Sequence, residues 1–127
     1  MNLKEIRTDK APLPVGPYSQ AVKTGNMMFI SGTLPIDIET KKIIEPISDA
    51  TAMIFRHLDN ILKEAGLSRD NIVKANIFMK DLKQFAELNK VYSEYFAASK
   101  VLPARSTVEV SALPLNAPVE MEFIATF

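Results

Sequence analysis

The chain has 127 residues, enough for one hydrophobic core and too few for two, so a single domain over residues 1–127 is expected. Lys and Arg together number 15, as do Asp and Glu, which leaves no net field to gather polyanions and argues against nucleic acid or an acidic membrane surface as partner. Cysteine is absent, and with it disulfides, thiolate catalysis and the soft ligands that zinc and iron–sulfur sites usually need.

Met1–Lys10 is charged and lacks the apolar stretch of a secretion signal, and no later apolar run reaches membrane-spanning length; a cytoplasmic protein without membrane contact is expected. Lys4–Thr8 reads as a short strand. Ala11–Tyr18 is too rich in proline for helix or central strand and reads as an ordered loop. Ala21–Thr24 and Met27–Ser31 are short apolar runs around Gly25-Asn26, a pair able to take the positive φ angles of a tight hairpin. Met27 and Met28 read as core. Asp37–Lys42 follows as an exposed polar turn.

From Ala50 to Ala65, the residues Ile54, Leu58, Ile61, Leu62 and Ala65 recur at helical spacing, with Ser48 or Asp49 as N-cap and Gly66 as C-cap. Ile72–Met79 switches to alternation, with Val73, Ala75, Ile77 and Met79 on one side, as in a strand. Asp81 and Gln84 resemble a capping box before a second helix whose stripe is Leu82, Phe85, Ala86, Asn89, Tyr92 and Phe96. Arg105–Ser111 and Val119–Phe127 read as closing strands on either side of a Leu113-Pro114 turn.

This order suits an α+β fold: one mostly antiparallel sheet with two helices on one face. The other face then carries Ile30, Phe78, Val108 or Val110, and Ile124. An apolar patch of that kind is unusual on a monomer, so association through the sheet is expected.

There is no Gly-rich phosphate loop and no G-x-S-x-G elbow, and His57 is the one histidine. Its place at the edge of the first helix's apolar stripe marks it as structural or surface, outside the site. The more informative group is Tyr18, Ser31, Arg105 and Glu120, each in a loop or at a strand end beside proline or glycine. Arg105, following Pro103-Ala104, either offers its planar fork to a substrate carboxylate or pairs with Glu109 or Glu120. Glu120 alternates with Val119 and Met121; it is either an exposed strand residue or a partly buried carboxylate with a raised pKa that handles water or a proton. Tyr18 either donates to a carboxylate or carbonyl or caps the core.

Four segments, in order and spacing, resemble the RidA (YjgF) family of reactive intermediate deaminases: Gly16-Pro17-Tyr18-Ser19-Gln20, Ser31-Gly32-Thr33-Leu34-Pro35, Pro103-Ala104-Arg105-Ser106-Thr107-Val108-Glu109-Val110 and Val119-Glu120-Met121-Glu122. Glu64-Ala65-Gly66, Lys74–Asp81 and Phe85-Ala86-Glu87-Leu88-Asn89 are similar to the family's middle, so the resemblance spans nearly the whole chain. It implies a chorismate-mutase-like fold in a homotrimer with clefts between subunits. It also implies hydrolysis of 2-iminopropanoate, 2-iminobutanoate and enamine tautomers such as 2-aminoacrylate to 2-oxo acids and ammonia. A functional link to the pyridoxal-phosphate-dependent dehydratases that release such imines follows, and a detoxifying role. By motif, Arg105 would hold the substrate carboxylate, Tyr18 and Ser31 would line the cleft, Glu120 would position or deprotonate water, and Asn89 would contribute from the neighbouring wall. Two positions depart from the pattern: Thr107, in the substrate-binding segment, stands where many relatives have Cys, and Thr33 where many have Gln. No cofactor or metal is implied, because an iminium carbon is already electrophilic and needs orientation, water and proton management. A non-catalytic metabolite-binding protein on the same fold is the alternative. Ribonuclease activity, attached to some relatives, is disfavoured by the lack of a basic stripe and of a histidine pair.

Overall fold

The computed structural model of the chain describes residues 2–127. Six strands follow the expected order: β1 (Leu3–Ile6), β2 (Ala21–Thr24), β3 (Met27–Thr33), β4 (Ile72–Met79), β5 (Ala104–Glu109) and β6 (Val119–Thr126). Helix α1 (Ile47–Glu64) joins β3 to β4, and α2 (Phe85–Tyr95) joins β4 to β5. The strands form one sheet in the order β1-β2-β3-β6-β4-β5. Every pairing is antiparallel except β4 with β5, the pair that α2 connects, as a crossover helix requires.

Both helices lie on one face of the sheet and share its core. Ile54, Leu58, Ile61 and Leu62 of α1 meet Met28 and Ile30 of β3, Ala75, Ile77 and Met79 of β4, and Val119, Met121, Phe123 and Ala125 of β6 in one buried cluster. The strict alternation of β6, buried at every second residue from Val119 to Ala125, is why this strand sits in the middle of the sheet with one face on the helices. Helix α1 ends in a Schellman arrangement: Gly66, at φ 75°, gives its N–H to the Lys63 carbonyl, and Leu67 gives its N–H to Leu62.

Several local expectations are corrected. Helix α1 starts at Ile47 behind Pro46, with no side-chain cap, so neither Ser48 nor Asp49 is the N-cap; Asp49 instead places its charge in the first turn. The Asp81 carboxylate accepts from Lys83 N, and Gln84 makes no reciprocal bond among the described residues, so Asp81 caps a 3-10 turn over Leu82–Gln84 ahead of α2. Because α2 proper starts at Phe85, its inward stripe is Phe85, Leu88, Tyr92, Tyr95 and Phe96, while Leu82 and Ala86 face water. Val73 is exposed and Ile72 buried, since an irregularity between Ile72 and Lys74 flips the parity at the start of β4. Ile30 belongs to the core at 3% exposure; its neighbour Phe29 takes the open face, opposite Ile124 in the register, together with Phe78 and Val108. Met28 is core, but Met27 is half-buried. In the β2–β3 turn only Gly25 takes a positive φ.

Candidate active site

Arg105 is the second residue of β5, the edge strand, opposite Ala75 in parallel register. Its side chain therefore leaves the sheet on the helix side, as Ala75 does, and runs beneath α2. There its Nη1 donates to Asn89 Oδ1 at 2.7 Å, and the guanidinium carbon lies 4.6 Å from the Tyr92 ring centre and 5.2 Å from that of Phe85. The guanidinium is thus bracketed by two π faces and tethered by a neutral amide, which leaves most of its donors unused. It pairs with neither Glu109, whose carboxylate accepts from Leu82 N, nor Glu120; the one ion pair among the described residues joins Arg69 to Asp59. Two residues further along the same side of β5, the Thr107 hydroxyl is buried without a hydrogen-bond partner, as is the hydroxyl of Tyr92. Burial raises the Tyr92 pKa, and the nearby Arg105 charge partly offsets this.

Glu120 lies on β6 opposite Phe78, on the open face. Its carboxylate rests on Gly32, where a Cβ would come within 2.7 Å of Oε2, so this approach requires a residue without a side chain. An irregularity in β3 between Ile30 and Thr33 makes the room. Burial, and secondarily the charge of Glu122, hold the Glu120 pKa above the ordinary carboxylate range. Tyr18, from the proline-rich loop, and Ser31, at the same irregularity, line a cavity of about 560 Å³ with Glu120. The Ser31 hydroxyl already donates to Ser19 O at 2.6 Å, which ties that loop to the strand.

The sequence-derived residues therefore fall into two groups. Tyr18, Ser31 and Glu120 share the cavity, whereas Arg105, Asn89 and Thr107 lie beneath α2 and do not line it. Strand β4 separates β5 from β6, so the two groups stand roughly 10 Å apart across the sheet and on opposite faces. One copy of the chain does not bring them to one small molecule. Sequence reasoning missed Gly32, Phe85 and Tyr92; the two aromatics were visible as members of the α2 stripe, but nothing local showed that they faced Arg105.

His57 is 1% exposed and donates from Nε2 to Ile36 O at 2.7 Å, which assigns it to the core as expected. Among the described residues no three His, Asp or Glu side chains are grouped to hold a metal ion, and no helix is long and apolar enough to cross a membrane.

The class the fold defines is an α+β single domain with two helices on one face of a mostly antiparallel sheet, carrying a cation without a carboxylate partner among the described residues on one face and a raised-pKa carboxylate on the other. Residues 8–127 match the family model described as Endoribonuclease L-PSP. The chain is 52% identical to a RutC family protein of Aquifex aeolicus over 97% of its own length and 98% of the relative's. It is 44% identical to the chloroplastic Reactive Intermediate Deaminase A of Arabidopsis thaliana, over 95% of this chain and 64% of that one. The E. coli TdcF structure with bound serine superposes with a TM-score of 0.93 at 37% identity, covering 98% of both chains. The chain belongs to the RidA/YjgF (Rid) family.

Proposed function

We propose that the protein is a deaminase that hydrolyses small 2-imino acids, 2-iminopropanoate and 2-iminobutanoate among them, to 2-oxo acids and ammonia. The observation that carries this reading is Arg105: a half-buried guanidinium held by a neutral amide and two aromatic faces, with donors free for a carboxylate. The deaminase name of the Arabidopsis relative supports it.

With the carboxylate on Arg105, the adjacent C=N carbon is the electrophile. Water adds there as its proton passes to the Glu120 carboxylate, whose raised pKa makes it a better proton acceptor than an ordinary carboxylate. The new C–O bond gives a tetrahedral carbinolamine. Proton return from Glu120 to nitrogen lets the C–N bond break, and ammonia leaves as the hydroxyl gives its proton to the Glu120 carboxylate and the C=O bond forms. Since the two groups lie on opposite faces of one chain, the reaction site is a cleft between subunits, with Arg105, Asn89 and Thr107 from one copy and Tyr18, Ser31 and Glu120 from another. A homotrimer closed over the sheet face would cover Phe29, Phe78, Val108 and Ile124. The cytoplasm, where dehydratases release such imines, is the proposed setting.

The test adds the protein to a threonine dehydratase reaction with semicarbazide as a trap for the imine. Faster release of 2-oxobutanoate at the expense of trapped adduct is expected, and Arg105→Ala, folded and assembled, should lose at least about 100-fold of the effect, since transition-state contacts to a charged group are worth that much. Full activity in Arg105→Ala would overturn the assignment. The serine bound to TdcF favours one second reading, a metabolite sensor on this fold; ligand binding without any change in imine lifetime would identify it.

A further inference from the structure

Helix α2 carries the three side chains that hold the Arg105 guanidinium: Asn89, Phe85 and Tyr92. The helix is 11 residues long, with no side-chain cap at its N-terminus and no basic residue in its last turn. Its last carbonyls need donors from elsewhere in the chain. Arg69 supplies one. Its Nη1 donates to the carbonyl of Tyr95, the last residue of α2, at 2.8 Å, and its Nη2 donates to Asp59 Oδ2 on α1 at 2.9 Å. Its guanidinium carbon lies 3.9 Å from the Tyr95 ring centre. One planar group thus caps one helix, pairs with the other and stacks on a ring.

Tyr95 closes the arrangement by donating its phenolic hydrogen to Asp59 Oδ1 at 2.5 Å, so both carboxylate oxygens of Asp59 are used. Burial raises the Tyr95 pKa, the hydrogen bond and charge of Asp59 add to this, and Arg69 opposes it; the phenol therefore keeps its proton and remains a donor. Arg69 itself stands on a fixed base, the 3-10 turn Arg69–Asn71. Asn71 accepts from Ser68 N at 3.0 Å through Oδ1 and donates from Nδ2 to Thr126 O, at the end of β6, at 2.9 Å. Asp59, Arg69 and Tyr95 thus join α1, the turn ahead of β4 and α2.

This clamp reaches Arg105 through aromatic rings. Tyr95 stacks on Phe55 of α1, with centres 4.0 Å apart and planes 9° from parallel, and Phe55 meets Tyr92 at 5.9 Å. Tyr92 in turn faces the Arg105 guanidinium. Its hydroxyl is buried without a partner among the described residues, so packing against Phe55 and Phe96, and not a polar bond, sets where that ring lies. We propose that Asp59, Arg69 and Tyr95 are positioning residues for Arg105: they lock α2 to α1, and so fix the seat that Asn89 and Tyr92 give the guanidinium. Rings in contact at native packing density transmit a displacement instead of absorbing it. The consequence for anion binding rests on the deaminase reading; the placement of the guanidinium does not.

Two variants test it. Tyr95→Phe removes the bond to Asp59 and keeps the ring; Arg69→Lys keeps the charge but not the planar fork that reaches Asp59 and the Tyr95 carbonyl together. Ile6→Val, a core change on the opposite edge strand, serves as a control for lost stability alone. On each full-length assembled protein, isotopically labelled on nitrogen, three things are measured: the Arg105 Nε–H resonance, identified by its loss in Arg105→Lys, the affinity for pyruvate by calorimetry, and the urea midpoint. In both clamp variants the Arg105 resonance, which the facing rings shift, should move, and the Kd for pyruvate should rise at least about threefold, the lower range for one hydrogen bond. Ile6→Val should lower the midpoint and move neither. If the wild-type protein binds pyruvate and either the resonance or the Kd stays at its wild-type value in both clamp variants, the proposal is overturned and the clamp is structural only. If the wild-type protein binds no pyruvate, the deaminase reading falls, and the resonance alone decides the proposal: a moved signal upholds it and an unmoved one overturns it.

Discussion

Arg105 and Glu120 owe their settings to four neighbours in the same chain. Asn89 and the faces of Phe85 and Tyr92 hold the guanidinium without neutralising it, and Gly32 lets the Glu120 carboxylate rest against the backbone. Gly32→Ala should therefore fold with less than about 1 kcal/mol lost, because only the movable end of Glu120 has to yield. The displaced carboxylate should nevertheless cost at least about 10-fold in kcat; a variant with wild-type kcat would show that the placement of Glu120 is immaterial. Glu120→Gln separates stability from activity. A carboxyl whose folded pKa is raised holds its proton better folded than unfolded, so stability falls as pH climbs from the ordinary carboxylate value through the raised one. Removing the charge should raise stability at pH 7 by on the order of 0.5 kcal/mol after solvent screening, while abolishing the acidic limb of the pH–rate profile. Denaturant titration and rate measurements between pH 4 and 8 check both, and a less stable variant with the limb intact contradicts the role.

At the scale of elements, α1 lines the cavity with Ile61, and His57 ties the helix to Ile36, another residue of the cavity wall. The ring must donate from Nε2 to the Ile36 carbonyl, which leaves Nδ1 buried without a partner. Burial pushes the His57 pKa down, with Arg56 adding to this and Asp37 opposing it. The folded chain thus resists protonation that the unfolded chain accepts, and stability drains away as pH falls below about 6.5. His57→Gln, which keeps an amide donor but cannot titrate, should be less stable at pH 7.5 by about 1 kcal/mol, the usual cost of a lost buried contact. The gap should narrow as pH approaches 5, as read from urea midpoints; a gap constant with pH would exclude His57 as the acid-sensitive group. The elements themselves were legible where period and punctuation agreed. Ile72–Met79 matches its strand bounds because alternation is unbroken from Lys74, and Gly66 closes α1 because its φ of 75° suits glycine. Val73 and the pair Leu82 and Ala86 were misplaced because one irregular pairing or one 3-10 turn shifts parity, and that shift leaves no local mark; Ile30 was misplaced because Met27–Ile30 is apolar on both sides, so the pattern does not mark which side is inward.

For the whole molecule, the decisive fact is that the two groups of candidate residues lie on opposite faces of the sheet. If the cleft is shared, Arg105→Ala and Glu120→Gln subunits should complement each other. A cyclic trimer mixed at random from equal amounts contains intact clefts in about a quarter of positions, so denaturing and refolding the two inactive variants together should recover roughly that share of activity. No recovery, with mixed assemblies shown by mass spectrometry, would place both residues in the same subunit's cleft.

Some of this was settled by the sequence alone. Periodicity located both helices and the strands, and the spacing of four motifs pointed to the family and to Arg105, Glu120, Tyr18, Ser31, Asn89 and Thr107 as candidates. Only the tertiary structure decided that Arg105 meets Asn89 and two aromatic rings instead of Glu109 or Glu120, that Phe29 and not Ile30 faces outward, and that Asp59, Arg69 and Tyr95 tie α2 to α1. The physical reason is range. Helical and extended periods are written into neighbouring residues, but which side chain meets which across the sheet depends on pairing register between strands distant along the chain, and a single irregularity in that register turns a side chain to the other face.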